Sequence, residues 1–389
     1  MSAGPPARTA PRVPLRTVAR EWTRIGAIGF GGPPAHIALL RELCVQRRRW
    51  IRPERFEDAI AATNLLPGPA STQLAIFCAW RVAGVPGALL GGAGFILPGL
   101  VLIVALAALF LSGSPPEWVL GAGAGAGAAV AAVALRAGAD LLPGSRSRAD
   151  RAPLVRWAGY LVAGGVAAAL VGPWLVLVLL ACGALELGLR RGGGGAAAAV
   201  LPWPLAVAST AGLAALSWTA FKVGALSYGG GFVIVPLMQA DAVEQHGWMT
   251  GAEFLNAVAL GQVTPGPVVQ TVAVVGYAAA GVGGAALAAF VAFAPSFGFI
   301  LMGADRFDRL TANPVARGFL AGAGPAAIGA ILGSAVPLAL ALAAAWQYAI
   351  LAAALAALFA LRRGVVATLL AAGALGAGLA LAGVAPPGA

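Results

Sequence analysis

The stretch Gly26-Ala27-Ile28-Gly29-Phe30-Gly31-Gly32-Pro33-Pro34 decides how this chain reads, because its landmarks return 198 residues later. Gly26-Ala27-Ile28 pairs with Gly224-Ala225-Leu226, and Phe30-Gly31-Gly32 with Tyr228-Gly229-Gly230. Working outward at the same offset, Trp50 meets Trp248 and Phe56 meets Phe254. Pro67-Gly68-Pro69 meets Pro265-Gly266-Pro267, and no gap is needed between Gly26 and Pro69. Glycine supplies 55 of the 389 residues, so a matched Gly-Gly carries little. Two tryptophans and a Pro-Gly-Pro on one offset carry the duplication.

Such a sequence belongs in lipid. It is 60% hydrophobic and 10% charged, whereas a soluble domain needs roughly 25% charged residues. Stretches of about 20 apolar residues, enough to span a bilayer, follow one another along the chain. The net charge of +11 sits on arginines in short loops. With no basic surface interleaved with aromatics, it reads as a topology signal and not as a nucleic-acid partner. Cys44, Cys78 and Cys182 are far apart and have no metal spacing. Residues 1–19, with Arg8, Arg12 and Arg16 and no apolar core, read as a cytoplasmic basic lead-in.

Loop charge gives the two copies opposite orientations. Arg41, Arg47, Arg48, Arg49, Arg52 and Arg55 fill the first-half loop. Its partner holds Asp241, Glu244 and Glu253, and no Lys or Arg lies between Lys222 and Arg306. By the positive-inside rule the first loop is cytoplasmic and the second external. Segment 25–42 has basic residues at both ends, and segment 57–80 is followed by Arg81. Each is interrupted at its middle by glycine and proline, which break helices, so each reads as a re-entrant hairpin. The expected fold is an all-α integral membrane protein, an inverted-topology repeat with about 13 hydrophobic segments and two broken, re-entrant hairpins per half. Its divisions are the lead-in 1–19, a first repeat 20–191, a linking transmembrane helix 192–217 and a second repeat 218–389.

Inverted repeats with broken helices mark secondary transporters, whose substrate sits at the midplane where the breaks meet. Half-helix N-termini there offer unpaired N–H groups and partial positive charge, which suits an anion. The candidate binding residues of the first half are Phe30, Gly31, Gly32, Pro33, Pro67, Gly68 and Pro69, with Asn64, Ser71, Thr72 and Gln73 as side-chain donors. Those of the second half are Tyr228, Gly229, Gly230, Gly231, Pro265, Gly266 and Pro267, with Gln262, Thr264 and Gln270. The plainer alternative is that glycine and proline only allow close helix packing. Arg24 and Lys222, the only lysine, occupy equivalent positions ahead of the breaks and either attract the anion or snorkel to an interface. His36 is a proton-relay candidate whose counterpart is Ile234, while His246 reads as a solvated loop residue. Arg136, Asp140 and Glu186 read as interface-setting groups at helix ends.

Phe30-Gly31-Gly32-Pro33-Pro34-Ala35-His36, Leu66-Pro67-Gly68-Pro69, Tyr228-Gly229-Gly230-Gly231-Phe232, Pro236-Leu237-Met238 and Ala259-Leu260-Gly261-Gln262-Val263-Thr264-Pro265-Gly266-Pro267 together resemble the chromate ion transporter family in its long, two-domain form. The resemblance implies efflux of chromate across a bacterial inner membrane, with these motifs as the transport site. It implies no cofactor, metal or enzymatic step. The partners expected are chromate or a related oxyanion, the lipid bilayer and a second copy of the chain in a homodimer. Alternatives are transport of another oxyanion such as sulfate, with or without protons, a membrane-embedded enzyme, and a purely structural membrane protein. An enzyme would need a base, nucleophile or metal set, and no such cluster of His, Asp, Glu or Cys stands out in the sequence.

Overall fold

A computed structural model describes residues 13–63, 66, 68–111, 115–148, 153–170, 175–190, 212–227, 234–303 and 313–387, and these fold into helices. The first is α1 (Leu15–Ile28). Its buried positions Val18, Trp22 and Ile25 follow helical spacing, while Arg16, Arg20 and Arg24 lie on the exposed face. The apolar stripe begins at Val18, so the helix starts inside the segment read as a lead-in. The chain then breaks at residues 29–32, where Gly31 and Gly32 have φ of 98° and 72°. It resumes as α2 (Pro33–Arg41), which ends in a wider π turn at Glu42–Arg47. Next come α3 (Pro53–Thr63) and α4 (Ala70–Phe110).

The 41 residues of α4 do not run straight. Gly84 has φ 67° and ψ −157°, a backbone open to glycine alone, and the helix folds back there. A Cβ on Gly87 would lie 2.5 Å from the Ala79 carbonyl oxygen, and one on Gly92 would lie 2.9 Å from the Ile76 side chain. In a straight helix residues 76 and 92 would be about 24 Å apart. Limb 70–83 therefore lies antiparallel to limb 85–110. The amide of Val13 donates to the Val82 carbonyl (3.0 Å), and Trp22 Nε1 donates to the Ala75 carbonyl (2.8 Å). The start of α1 and the end of limb 70–83 thus share one level of the molecule. Arg47 and Arg48, beyond α2, also return to Glu21 of α1.

This path occurs twice. α9 (Leu213–Leu226) is α1 displaced by 198 residues. After α10 (Ile234–Gln239) a π turn at Ala240–Gln245 matches Glu42–Arg47 at the same offset. Arg49 and Gly247 share left-handed φ values of 53° and 59°. α11 (Gly251–Val263) begins 198 residues after α3 and is closed by a capping box between Thr250 and Glu253. A short turn at Val268–Gln270 leads into α12 (Thr271–Gly303), which folds back at Gly281 with φ 61° and ψ −153°. Gly84 and Gly281 are 197 apart, as are the helix-interior prolines Pro98 and Pro295. One residue has been lost just after the second Pro-Gly-Pro, so the 198 offset fails along α4.

Around these units stand α5 (Glu117–Ala128), α6 (Val130–Arg148), α7 (Leu154–Leu170) and α8 (Leu175–Arg190). Their later companions are α13 (Pro314–Leu340), α14 (Ala345–Leu355, extended by a π turn) and α15 (Val365–Leu381). The two sets interlock, since α13 packs on α7 and α8 while α15 packs on α5. Bulky apolar side chains such as Val101, Phe290 and Leu340 point outward and exposed, a surface suited to lipid. Together with the long apolar helices, this makes the chain a multi-pass membrane protein. Of the linking helix expected at 192–217, residues 192–211 lie outside the described residues, and 213–217 belong to α9.

Candidate functional site

The breaks of one half touch elements of the other. The Gly266 amide donates to the Gly29 carbonyl at 3.0 Å, joining the second Pro-Gly-Pro loop to the first glycine break. The Pro265 carbonyl packs on Gly99 of α4, where any side chain would collide with it. Gly68 lies against α9 and α12, and a Cβ there would sit 3.4 Å from the Gly224 carbonyl oxygen and 3.3 Å from Ser296 Oγ. Gly68 and Gly266 hold φ of 112° and 96°. Gly68, Pro69 and residues 264–267 are buried and surround the place where limbs 85–110 and 281–303 meet, marked by Gly92 against Phe297.

Gly26 and Gly224 bear out the packing alternative at their own positions. A Cβ on Gly26 would lie 2.6 Å from the Phe95 carbonyl oxygen, and one on Gly224 would overlap that of Ala292. These glycines bring α1 and α9 onto the spanning limbs. They shape the site without lining it.

Helix starts at the breaks carry no side-chain cap. Gly32 precedes α2, Pro69 precedes α4, and Pro267 precedes the turn into α12, each without a capping hydrogen bond from its side chain. The first N–H groups of a helix have no partner within it and carry partial positive charge. Close by, Thr72 Oγ1, Ser227 Oγ, Gln262 Nε2 and Ser296 Oγ are buried with no hydrogen-bond partner. An unmet buried polar group costs about 1–3 kcal/mol, so this many in one place marks a region built for something other than stability.

Other expected site residues are already engaged. His36 is buried between Ser71 Oγ (3.2 Å from Nδ1) and the Gly29 carbonyl (2.9 Å from Nε2), edge-on to Phe95. It braces the break between α1 and α2. Thr264 Oγ1 donates to the Leu260 carbonyl (2.8 Å), and Gln270 Nε2 donates to the Ile96 carbonyl (2.8 Å). Gln73 packs its amide beside Gly68. Phe30 is 44% exposed and Gly31 is exposed, with Pro33 half-buried, so this break faces out of the protein core. Asn64, Pro67, Tyr228, Gly229, Gly230 and Gly231 lie outside the described residues.

The cations behave differently from their shared sequence position. Lys222 Nζ pairs with Asp241 (2.6 Å to Oδ2), which also accepts from Thr219 Oγ1 (3.0 Å). The ammonium is thereby paired and tied to the π turn. Arg24 is exposed beside a small surface cleft with Glu21, Glu42 and Arg47. His246 is stacked on Trp248 (centroids 4.5 Å apart), a correction to its reading as a merely solvated residue. The aromatic partner two residues on holds it. Glu186 is fully buried between Tyr160 (3.1 Å) and Arg190 (2.7 Å), tying α7 to α8.

Sequence reasoning missed Ser227 and Ser296. Ser296 corresponds to Gly99 only at the 197 offset, so a search at 198 aligns it with neither the loop nor a polar partner. Glu21 was missed as the acid that holds Arg47 (2.6 Å) and Arg48 (2.9 Å).

Comparison with known proteins adds an independent line. A family model described as "Chromate transporter" matches residues 16–187 and again 214–377, two regions whose starts are 198 residues apart. The chain is 31% identical to the chromate transport protein of Cupriavidus metallidurans over 346 residues, covering 85% of this chain and 84% of that protein. It is 32% identical to the chromate transport protein of Pseudomonas aeruginosa over 354 residues, 87% and 83% of the respective chains. An uncharacterized transporter of Methanocaldococcus jannaschii is 25% identical over 325 residues, 77% of this chain and 78% of that one. No solved structure matches the chain.

Proposed function

The chain belongs to the chromate transporter family, whose members are transport proteins and not enzymes, and from that premise we propose that it exports chromate across a bacterial inner membrane by alternating access. The observation that carries this reading is the meeting of the two halves at their breaks, where uncapped helix starts adjoin buried, unsatisfied hydroxyl and amide groups. A tetrahedral dianion needs several hydrogen-bond donors and positive potential, and those groups supply both. Relatives named chromate transport proteins supply the choice of chromate.

The halves act as an inverted repeat. Loop charge supports this, and so does packing. α3 lies beside α2, where Arg41 pairs with Glu57. The π turn reaches Glu21 of α1, next to Trp22, whose indole meets Ala75 of limb 70–83. In the middle of α11, by contrast, Asn256 lies beside Gly123 and Phe110, at the far end of limb 85–110. Limb 70–83 is about 21 Å long, short of the ~30 Å hydrocarbon core, which leaves the first Pro-Gly-Pro loop within the membrane. Ile96, which receives the Gln270 amide, is about 18 Å along the limb from Gly84. Both placements support a site near mid-depth.

Export suits the membrane potential. An interior-negative potential contributes about 2.3 kcal/mol per charge per 100 mV, so roughly 4–5 kcal/mol drives a dianion outward without a coupled proton. The test uses the purified protein in vesicles, with labelled chromate and a potential imposed in either direction. Flux should follow the potential and be competed by excess unlabelled chromate more strongly than by sulfate. Flux that ignores the potential contradicts potential-driven export, and equal competition by sulfate makes the substrate an oxyanion at large.

A further inference from the structure

We propose that the primary oxyanion subsite lies to one side of the crossing, at the first Pro-Gly-Pro loop, with Thr72 Oγ1 and Ser296 Oγ as its hydroxyl donors. This rests on the oxyanion-transport reading above and names where in that region the anion is held.

The two loops share a backbone but not a state of occupation. At the second loop the Gly266 amide is spent on Gly29, Gln270 Nε2 on Ile96, Thr264 Oγ1 on Leu260 and Thr271 Oγ1 on Val268 (2.8 Å). Gln262 Nε2, on the preceding helix, is the side-chain donor still uncommitted there among the described residues. At the first loop Ser71 Oγ is engaged by His36, whereas the hydroxyls of Thr72 and Ser296 are open. Thr72 stands in the first turn of α4, behind the uncapped Pro69, and is fully buried. Ser296 is fully buried on α12 and faces Gly68. Neither hydroxyl has a partner.

That openness runs against local chemistry. A hydroxyl on a helix readily bonds the carbonyl three or four residues back. Thr63 bonds Ala59 (2.9 Å), Ser334 bonds Ile331 (2.7 Å) and Thr368 bonds Gly364 (3.0 Å) in this way. Thr72 and Ser296 do not. At the 197 offset that holds along α4, Thr72 corresponds to Val269 and Ser296 to Gly99. Neither counterpart has a hydroxyl, and the Gly99 position is filled by the Pro265 carbonyl. Among the described residues of the two loops, the first offers two buried hydroxyls without a partner, whereas the buried hydroxyls of the second, Thr264 and Thr271, are bonded to backbone carbonyls. Ser227, three residues past Gly224 and also unpartnered, lies on the element that approaches Gly68.

The experiment measures chromate binding to the full-length protein in lipid nanodiscs, chromate flux in vesicles, and the thermal midpoint of unfolding. It compares the wild type with Ser296→Ala, Thr72→Val and the control Ser334→Ala. A hydrogen bond to a charged group sets the scale, so Ser296→Ala and Thr72→Val should each weaken chromate binding about ten- to hundredfold. Their midpoints should stay level or rise, because no protein hydrogen bond is lost. Ser334→Ala should leave binding unchanged and lower the midpoint. Wild-type binding and flux with unchanged affinity in both site variants overturns this subsite and leaves the transport reading standing. Weakened binding that tracks a lowered midpoint also overturns it, as structural damage. If the wild type neither binds nor moves chromate or sulfate, the transport reading itself fails and takes the subsite with it.

Discussion

The first and second halves trace one backbone but hold it with opposite charge arrangements. In the first, the acid is on the entering helix, where Glu21 receives Arg47 and Arg48 from the end of the π turn and the residue after it. In the second, the base is on the entering helix, where Lys222 is received by Asp241 of the π turn. Thr219, the counterpart of Glu21, donates to that same carboxylate. The fold needs the helix tied to the turn in each half and is indifferent to which side supplies the negative charge. The inversion proposed above accounts for the difference, because arginines on the turn favour a cytoplasmic face and a turn without Lys or Arg is free to face outward.

The halves also differ in how deeply the latch is set, which gives the largest expected effect. Lys222 and Asp241 side chains are 16% and 2% exposed, whereas Arg47 and Arg48 remain near half-exposed. Asp241→Asn leaves a largely buried ammonium unpaired and should cost about 3–5 kcal/mol. Glu21→Gln leaves its arginines in reach of water and should cost about 1 kcal/mol or less. Thermal unfolding of the two variants in the same lipid measures the gap, and equal losses would break the comparison.

Next in size are the matched loop glycines. Alanine at either left-handed position strains the backbone by roughly 1–2 kcal/mol. At Gly68 the new Cβ would also press on Gln73 and Ser296, while at Gly266 it meets Gln270 at 3.0 Å. Gly68→Ala should abolish measurable chromate binding, whereas Gly266→Ala should retain binding and slow transport. Reversed outcomes would move the principal subsite to the second half.

The smallest effect is expected at Arg24, the first-half counterpart of Lys222. Arg24 is exposed near the first break and acts at long range, so Arg24→Ala should raise the KM for chromate only a few-fold, with the difference shrinking in high salt. Lys222→Ala should act instead through stability, leaving the buried Asp241 carboxylate without its cation, a loss on the scale of Asp241→Asn. A salt-independent change at Arg24 would argue for direct contact.

Much of the fold was legible because glycine, proline and tryptophan are positional residues. Pro67-Gly68-Pro69 and its partner announced the breaks, and Arg81 announced the end of the second hairpin where Gly84 turns. What stayed hidden was set by tertiary contact or by the shift from 198 to 197. That single lost residue concealed the pairing of Gly84 with Gly281 and of Gly99 with Ser296. The Lys222–Asp241 pair joins residues 19 apart across a break, a distance that periodicity cannot read. Phe30 and Gly31 looked like site residues because they break a helix, but their exposure shows that a break alone does not face inward.

The measurement that tests the account most directly is the sidedness of two matched positions. Gln46 and Glu244 are 198 apart, exposed, and lie in the equivalent π turns. Single cysteines would be placed there in a chain whose buried Cys44, Cys78 and Cys182 are replaced by alanine, then challenged with a membrane-impermeant thiol reagent. The account predicts that Glu244→Cys is labelled in intact cells, and Gln46→Cys only in inside-out vesicles. Labelling of both from the same side would contradict the inverted repeat, and with it the placing of the anion site between two opposed halves.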